Sequence, residues 1–150
     1  MSSIPNVTTD PAAIKASLDA IAAPLRDVLT ALSDVIATVN TANGWKDKSV
    51  TFGDSIALLH SEASEALEAY RTDGFADTTR KWCVTCRTTP EARHICKPEG
   101  VLSELADVII RTLDTTDSHE ELSADALAVA IVSKVRYNAT RGYRHGDKNL

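Results

Sequence analysis

Apolar residues recur at every third or fourth position over most of this chain, and that period decides the fold class. Ile14, Leu18, Ile21, Leu25, Val28, Leu29, Leu32, Val35, Ile36 and Val39 form the first such stripe, the signature of an amphipathic helix. Pro24 falls inside it, where a proline kinks a helix or starts a second one, and Asn43-Gly44 supplies a stop. The pattern therefore predicts two segments, 11–22 and 24–42, the first an extra N-terminal helix. A second stripe, Ile56, Leu59, Ala63, Ala66, Leu67 and Tyr70, predicts a helix from Phe52 to Arg71 that Asp73-Gly74 ends. Pro98 suits the first position of a third helix, with Glu99 near its positive end. That helix carries Val101, Leu102, Leu105, Val108, Ile109 and Leu113 and breaks around Thr115 to Ser118. Asp117 or Ser118 can cap the next segment. Ser123 and Asp125 open a last helix bearing Leu127, Ala130, Ile131, Lys134, Val135 and Asn138, which Gly142 closes. No run alternates with the period of a strand. The expected architecture is all-α, a four-helix-bundle-like fold with an added N-terminal helix.

Between the second and third helices the periodicity lapses. Residues 74–97 hold all three cysteines, and so long an irregular connection in a compact domain is often functional. Cys83-x-x-Cys86 followed by His94-x-Cys96 offers four soft or borderline ligands, a set suited to a tetrahedral structural Zn²⁺. Free thiols, or a redox pair of Cys83 and Cys86, are the alternatives.

Composition narrows the function classes. The 150 residues are 43% hydrophobic and 25% charged, a globular balance and enough chain for one domain with a core. Sixteen basic against twenty-one acidic residues leave a net charge of −5, which disfavours gripping a long nucleic-acid backbone. A single nucleotide needs only one local basic cluster and a divalent ion. No apolar run approaches the roughly 18 residues of a membrane span. The start, Met1-Ser2-Ser3-Ile4-Pro5-Asn6, lacks the basic and apolar regions of a signal peptide. An odd number of clustered cysteines argues against a disulfide framework, so a cytoplasmic setting is expected.

Two carboxylate pairs interrupt apolar helix faces: Glu62-x-x-Glu65 and Glu104-x-x-Asp107. Residues three apart on a helix lie roughly 60° apart and one turn above each other, so each pair converges. If the helices face each other, four anions meet, and their repulsion calls for a hard divalent cation such as Mg²⁺. A solvated helix face is the bland alternative for either pair alone. It suits Asp107 least, because Leu105, Ala106, Val108, Ile109 and Ile110 surround it. His60 points to another face and is expected to be a packed or supporting histidine.

The one concentrated basic stretch is C-terminal. Lys134, Asn138 and Arg141 fall at i, i+4 and i+7, a face suited to phosphate oxygens. Cations near a helix C-terminus also simply favour its dipole.

Taken in order, Gly44-Trp45, Glu62-x-x-Glu65, Glu104-x-x-Asp107 and Lys134-x-x-x-Asn138-x-x-Arg141 resemble the MazG-like nucleoside triphosphate pyrophosphohydrolases. The stretches Lys97-Pro98-Glu99-Gly100-Val101-Leu102-Ser103 and Tyr137-Asn138-Ala139-Thr140-Arg141-Gly142-Tyr143-Arg144-His145-Gly146 resemble short single-domain members especially. The resemblance covers about residues 25–148, within a single domain of 1–150. It implies an all-α, oligomeric enzyme that uses Mg²⁺, with Mn²⁺ as a substitute, to split (deoxy)nucleoside triphosphates into monophosphate and pyrophosphate. Glu62, Glu65, Glu104 and Asp107 would hold the metal, and one glutamate would orient or deprotonate the attacking water. Lys134, Asn138 and Arg141 would bind the triphosphate, and Trp45, with Phe52, would lie along the base. One departure stands out. Thirty-eight residues separate Glu65 from Glu104, more than is usual in the family, and the excess is the cysteine-bearing insert.

Two other classes fit the bundle: a binding protein without turnover, and a di-iron carboxylate protein. The second usually carries Glu-x-x-His, and neither pair here ends in His. The two adjacent apolar series of the first long helix, Leu25, Leu29, Leu32, Ile36 and Val28, Val35, Val39, predict a homodimer or homotetramer. The alternative is that residues 11–22 fold back over the spare face.

Overall fold

The computed structural model describes residues 10–75 and 97–141. They form four helices: α1 (Pro11–Ala42), α2 (Phe52–Asp73), α3 (Val101–Ser118) and α4 (Ala124–Ala139), with no strand among the described residues. The all-α bundle expected from the periodicity is present. The candidate zinc ligands Cys83, Cys86, His94 and Cys96 lie outside the described residues, as does Gly142.

α1 corrects the expectation of two segments. It is one helix of 32 residues with Pro24 inside it. A proline deletes a single i→i−4 hydrogen bond and crowds the preceding turn, which breaks a helix unless packing holds both sides. Here both sides are held by α4. Asp19 accepts a hydrogen bond from the Arg136 guanidinium at 2.7 Å, and Arg26 pairs with Asp125. These cross-pairs run in opposite chain order, so α1 and α4 are antiparallel. With α1 continuous, residues 11–22 do not fold back over the spare face. The Asp10 side chain caps the start by accepting from the Ala12 N–H, and Pro11 follows it. Asn43 and Gly44, the latter at φ +73°, end the helix as expected.

Thr51 and Asp54 build a reciprocal capping box at the start of α2, which satisfies two orphan donors. α3 begins at Val101 rather than Pro98. Gly100 has φ +101°, a left-handed conformation that an α-helix cannot pass through. The expected break around Thr115 to Ser118 comes at the late edge of that window, α3 running to Ser118 with His119 extended beyond it. Thr115 and Thr116 are buried and donate their hydroxyls to the Arg111 and Leu113 carbonyls, so they need no turn to satisfy them. Ser123 caps α4 by accepting from the Ala126 N–H at 3.1 Å. α4 stops at Ala139, short of the expected end at Gly142, so Arg141 is not on the helix with Lys134 and Asn138.

α2 packs along α3 and α1 along α4, and α1 touches α3 to join the two pairs. The join is apolar: Leu113, 1% exposed, packs with Ile36 and Ala124, flanked by Leu29 and Leu127. Much apolar surface lies outside this small core. Ile21, Val28, Leu32, Val35 and Val39 are all exposed on α1. They step by 7, 4, 3 and 4 residues, the heptad spacing of a helix–helix seam. No helix among the described residues is long and apolar enough to cross a membrane.

Candidate metal centre and adjoining groove

The packing of α2 on α3 sets the site. Ala66 is buried on α2, and on the facing turns of α2 and α3 carboxylates stand among the apolar side chains. Glu62 from α2 meets Glu104 and Asp107 from α3, with one carboxylate oxygen of each lying within 4.8 Å of the others. Glu104 is buried and the other two are half-buried. Desolvation pushes the Glu104 carboxyl above the usual carboxylate range, and the charges of Asp107, Glu65 and Glu62 push it further, against Lys97. Asp107 is raised likewise, by desolvation first and then by Glu62 and Glu65, with Arg111 and Lys97 opposing. Burial and crowded like charges are what a divalent cation with oxygen ligands relieves.

Three of the four expected ligands therefore converge. Glu65 stands to one side: it is exposed, accepts a hydrogen bond from the Ser61 hydroxyl at 3.1 Å, and lines an open groove with Glu104 and Lys97. Its charge still reaches both Glu104 and Asp107. His60 is exposed rather than packed; it lies two residues before Glu62, nearly on the opposite face of α2.

The cation touching the cluster is one that the sequence pattern did not single out. Arg111 lies one turn beyond Asp107 on α3, and its Nε donates to Glu62 Oε1 at 3.0 Å. Its guanidinium also lies 5.3 Å from the centroid of the Trp45 ring, a cation–π distance. The signal was present: one arginine at i+4 from Asp107 within an otherwise apolar run of α3.

Trp45 and Arg111 form walls of a groove of about 480 Å³, with Lys46, Lys48, Leu58 and Asp114. Lys46 is fixed within it. It donates to Ser118 Oγ at 2.7 Å and pairs with Asp114 and Asp117 at 2.8 and 2.9 Å, while Asn40 donates to Asp114 at 2.7 Å. Burial draws the Lys46 ammonium pKa down, but the two aspartates outweigh that and hold it above the ordinary lysine value. Trp45 is thus where a stacking surface is expected, 59% exposed. Phe52 is not a groove wall; it packs edge-on against His119 at 5.6 Å.

Lys134, Asn138 and Arg141 stand apart from this centre. They are exposed, α4 packs mainly on α1, and the Lys134 ammonium lies 5.9 Å from Tyr137 of its own helix. Among the described residues of one chain, the cations beside the carboxylates are Arg111 and Lys97. Comparison of the chain with protein-family models, with curated proteins and with solved structures finds no match in any of the three.

Proposed function

We propose that this protein is a Mg²⁺-dependent nucleoside triphosphate pyrophosphohydrolase of the MazG-like type, cleaving (d)NTPs to monophosphate and pyrophosphate. The observation that carries this reading is the meeting of Glu62, Glu104 and Asp107 within 4.8 Å, beside a groove walled by an aromatic ring and cations. The donor set is all carboxylate oxygen, which suits Mg²⁺ or Mn²⁺ and disfavours softer ions. When bound, the metal would neutralise phosphate charge and lower the pKa of water. Glu62, Glu104 and Asp107 would hold it. Glu65, outside the trio but within reach of its field, would accept the proton of the attacking water at its carboxylate. Trp45 would stack on the base, and Lys48 and Arg111 would face the anionic end of a ligand in the groove. Lys134, Asn138 and Arg141 keep their role as a phosphate clamp only if they reach the metal centre of a second copy.

That condition agrees with the exposed heptad seam of α1. The same reading includes a homodimer or homotetramer in which α1 pairs with its counterpart, and a cytoplasmic protein.

The test is a panel of (d)NTPs with Mg²⁺, reading pyrophosphate against inorganic phosphate. Pyrophosphate release that Glu62→Gln and Glu104→Gln abolish is the expected result. Release of phosphate alone, or no turnover with any nucleotide, overturns the reading.

A further inference from the structure

The carboxylate cluster and the Trp45 groove share one side chain. Arg111 has its Nε on Glu62 Oε1 at 3.0 Å and its guanidinium carbon 5.3 Å from the Trp45 ring centroid. The guanidinium is planar and rigid, so neither contact changes without moving the other. Both partners of the ion pair are well covered, the Arg111 and Glu62 side chains being 21% and 13% exposed, and solvent screens such a pair far less than a surface one. Arg111 engages one Glu62 oxygen, and a carboxylate has a second to offer.

We propose that Arg111 is a positioning residue. It fixes Glu62 so that its free oxygen meets those of Glu104 and Asp107, and through Trp45 it couples filling of the metal centre to the groove. The proposal rests on the metal reading above. A divalent ion that takes the free Glu62 oxygen moves that carboxylate, and the guanidinium held on its other oxygen shifts with it over the indole. By linkage, a ligand that draws Arg111 into the groove changes the affinity of the cluster for the ion by the same factor.

The test uses Trp82→Phe protein, which leaves Trp45 as the only tryptophan. Mg²⁺ alone, which does not quench fluorescence, is titrated while Trp45 emission is read. Mn²⁺ binding is followed separately by electron paramagnetic resonance. A saturable Mg²⁺-dependent change in emission is expected. Adding Arg111→Met should abolish that change and weaken Mn²⁺ binding by roughly tenfold or more, the usual cost of losing a group that orients a metal ligand. Arg111→Lys keeps the charge without the planar fork, so it should leave the emission change abolished.

A group that only neutralised charge would behave oppositely. Its removal would leave the carboxylates more anionic, and Mn²⁺ would bind more tightly. Tighter or unchanged Mn²⁺ binding in Arg111→Met, or an emission change that survives in either variant, overturns the proposal. If the Trp82→Phe protein binds Mn²⁺ with no change in emission, the coupling fails and the metal reading stands. If it binds no Mn²⁺, the metal reading itself fails and the coupling with it.

Discussion

Asp107→Asn should change the sign of its effect on stability according to whether a divalent ion is present. Asp107 has oxygens within 4.8 Å of both Glu62 and Glu104. At that separation two unit charges repel by about 0.9 kcal/mol in water and about 3.5 kcal/mol at an effective dielectric constant of 20. Asp107 is half-buried, so about 1 kcal/mol per neighbour is reasonable, or about 2 kcal/mol for the pair. Arg111 and Lys97 offset part of this, leaving a net relief of about 1 kcal/mol when the charge is removed. In EDTA the variant should therefore melt a few degrees higher than wild type, about 2–4 °C for a chain of this size. With Mg²⁺ at about one hundred times its Kd, wild type gains about 2.7 kcal/mol from binding. The variant, lacking one anionic ligand, should gain little, so the order inverts. Thermal melts of both proteins in EDTA and across a Mg²⁺ series check this, with pyrophosphate release as the functional readout. A variant less stable than wild type in EDTA would refute the charge-crowding argument. An undiminished Mg²⁺ gain would remove Asp107 from the ligand set.

The same geometry sets further outcomes. Glu104 and Asp107 are raised above their ordinary values by burial and by neighbouring carboxylates, so the folded state holds protons the unfolded state has lost. Their contribution is present at low pH and lost as pH rises through the raised values. In EDTA, urea midpoints from about pH 4 to about pH 7 should fall relative to a Glu104→Gln, Asp107→Asn double variant; a constant difference sinks this. Leu113→Ala should cost about 3 kcal/mol in urea unfolding, because Leu113 is 1% exposed at the join of α1, α3 and α4; a loss below about 1 kcal/mol would mean the core lies elsewhere. Val28→Glu with Val35→Glu should reduce the particle seen by light scattering to the 16.1 kDa chain, since both lie on the exposed heptad seam. Wild type already at that mass would refute the oligomer.

What the chain determined alone was local. Helix period, caps and stops depend on residues within a turn or two. Ser123 caps α4 and Asn43-Gly44 ends α1 because the donors and acceptors involved are sequence neighbours. The two carboxylate pairs were legible for the same reason, since three residues along a helix is a fixed angle whatever surrounds it. Tertiary structure decided the rest. Pro24 should kink a helix or start a new one, yet α1 continues along α4, which meets it on both sides of the proline, at Asp19 and at Arg26. Glu62 and Glu104 are brought together by the packing of α2 on α3 across the intervening insert, and that same packing leaves Glu65 to one side. Arg111 was invisible as a functional residue because its partners, Glu62 and Trp45, are 49 and 66 positions away in the chain. Lys134 and Asn138 were assigned to phosphate on a shared helical face and on the family resemblance, whereas which helix α4 packs along, here mainly α1, was not legible. Periodicity specifies which face of a helix is buried, and not which helix buries it; that choice depends on how whole faces fit one another.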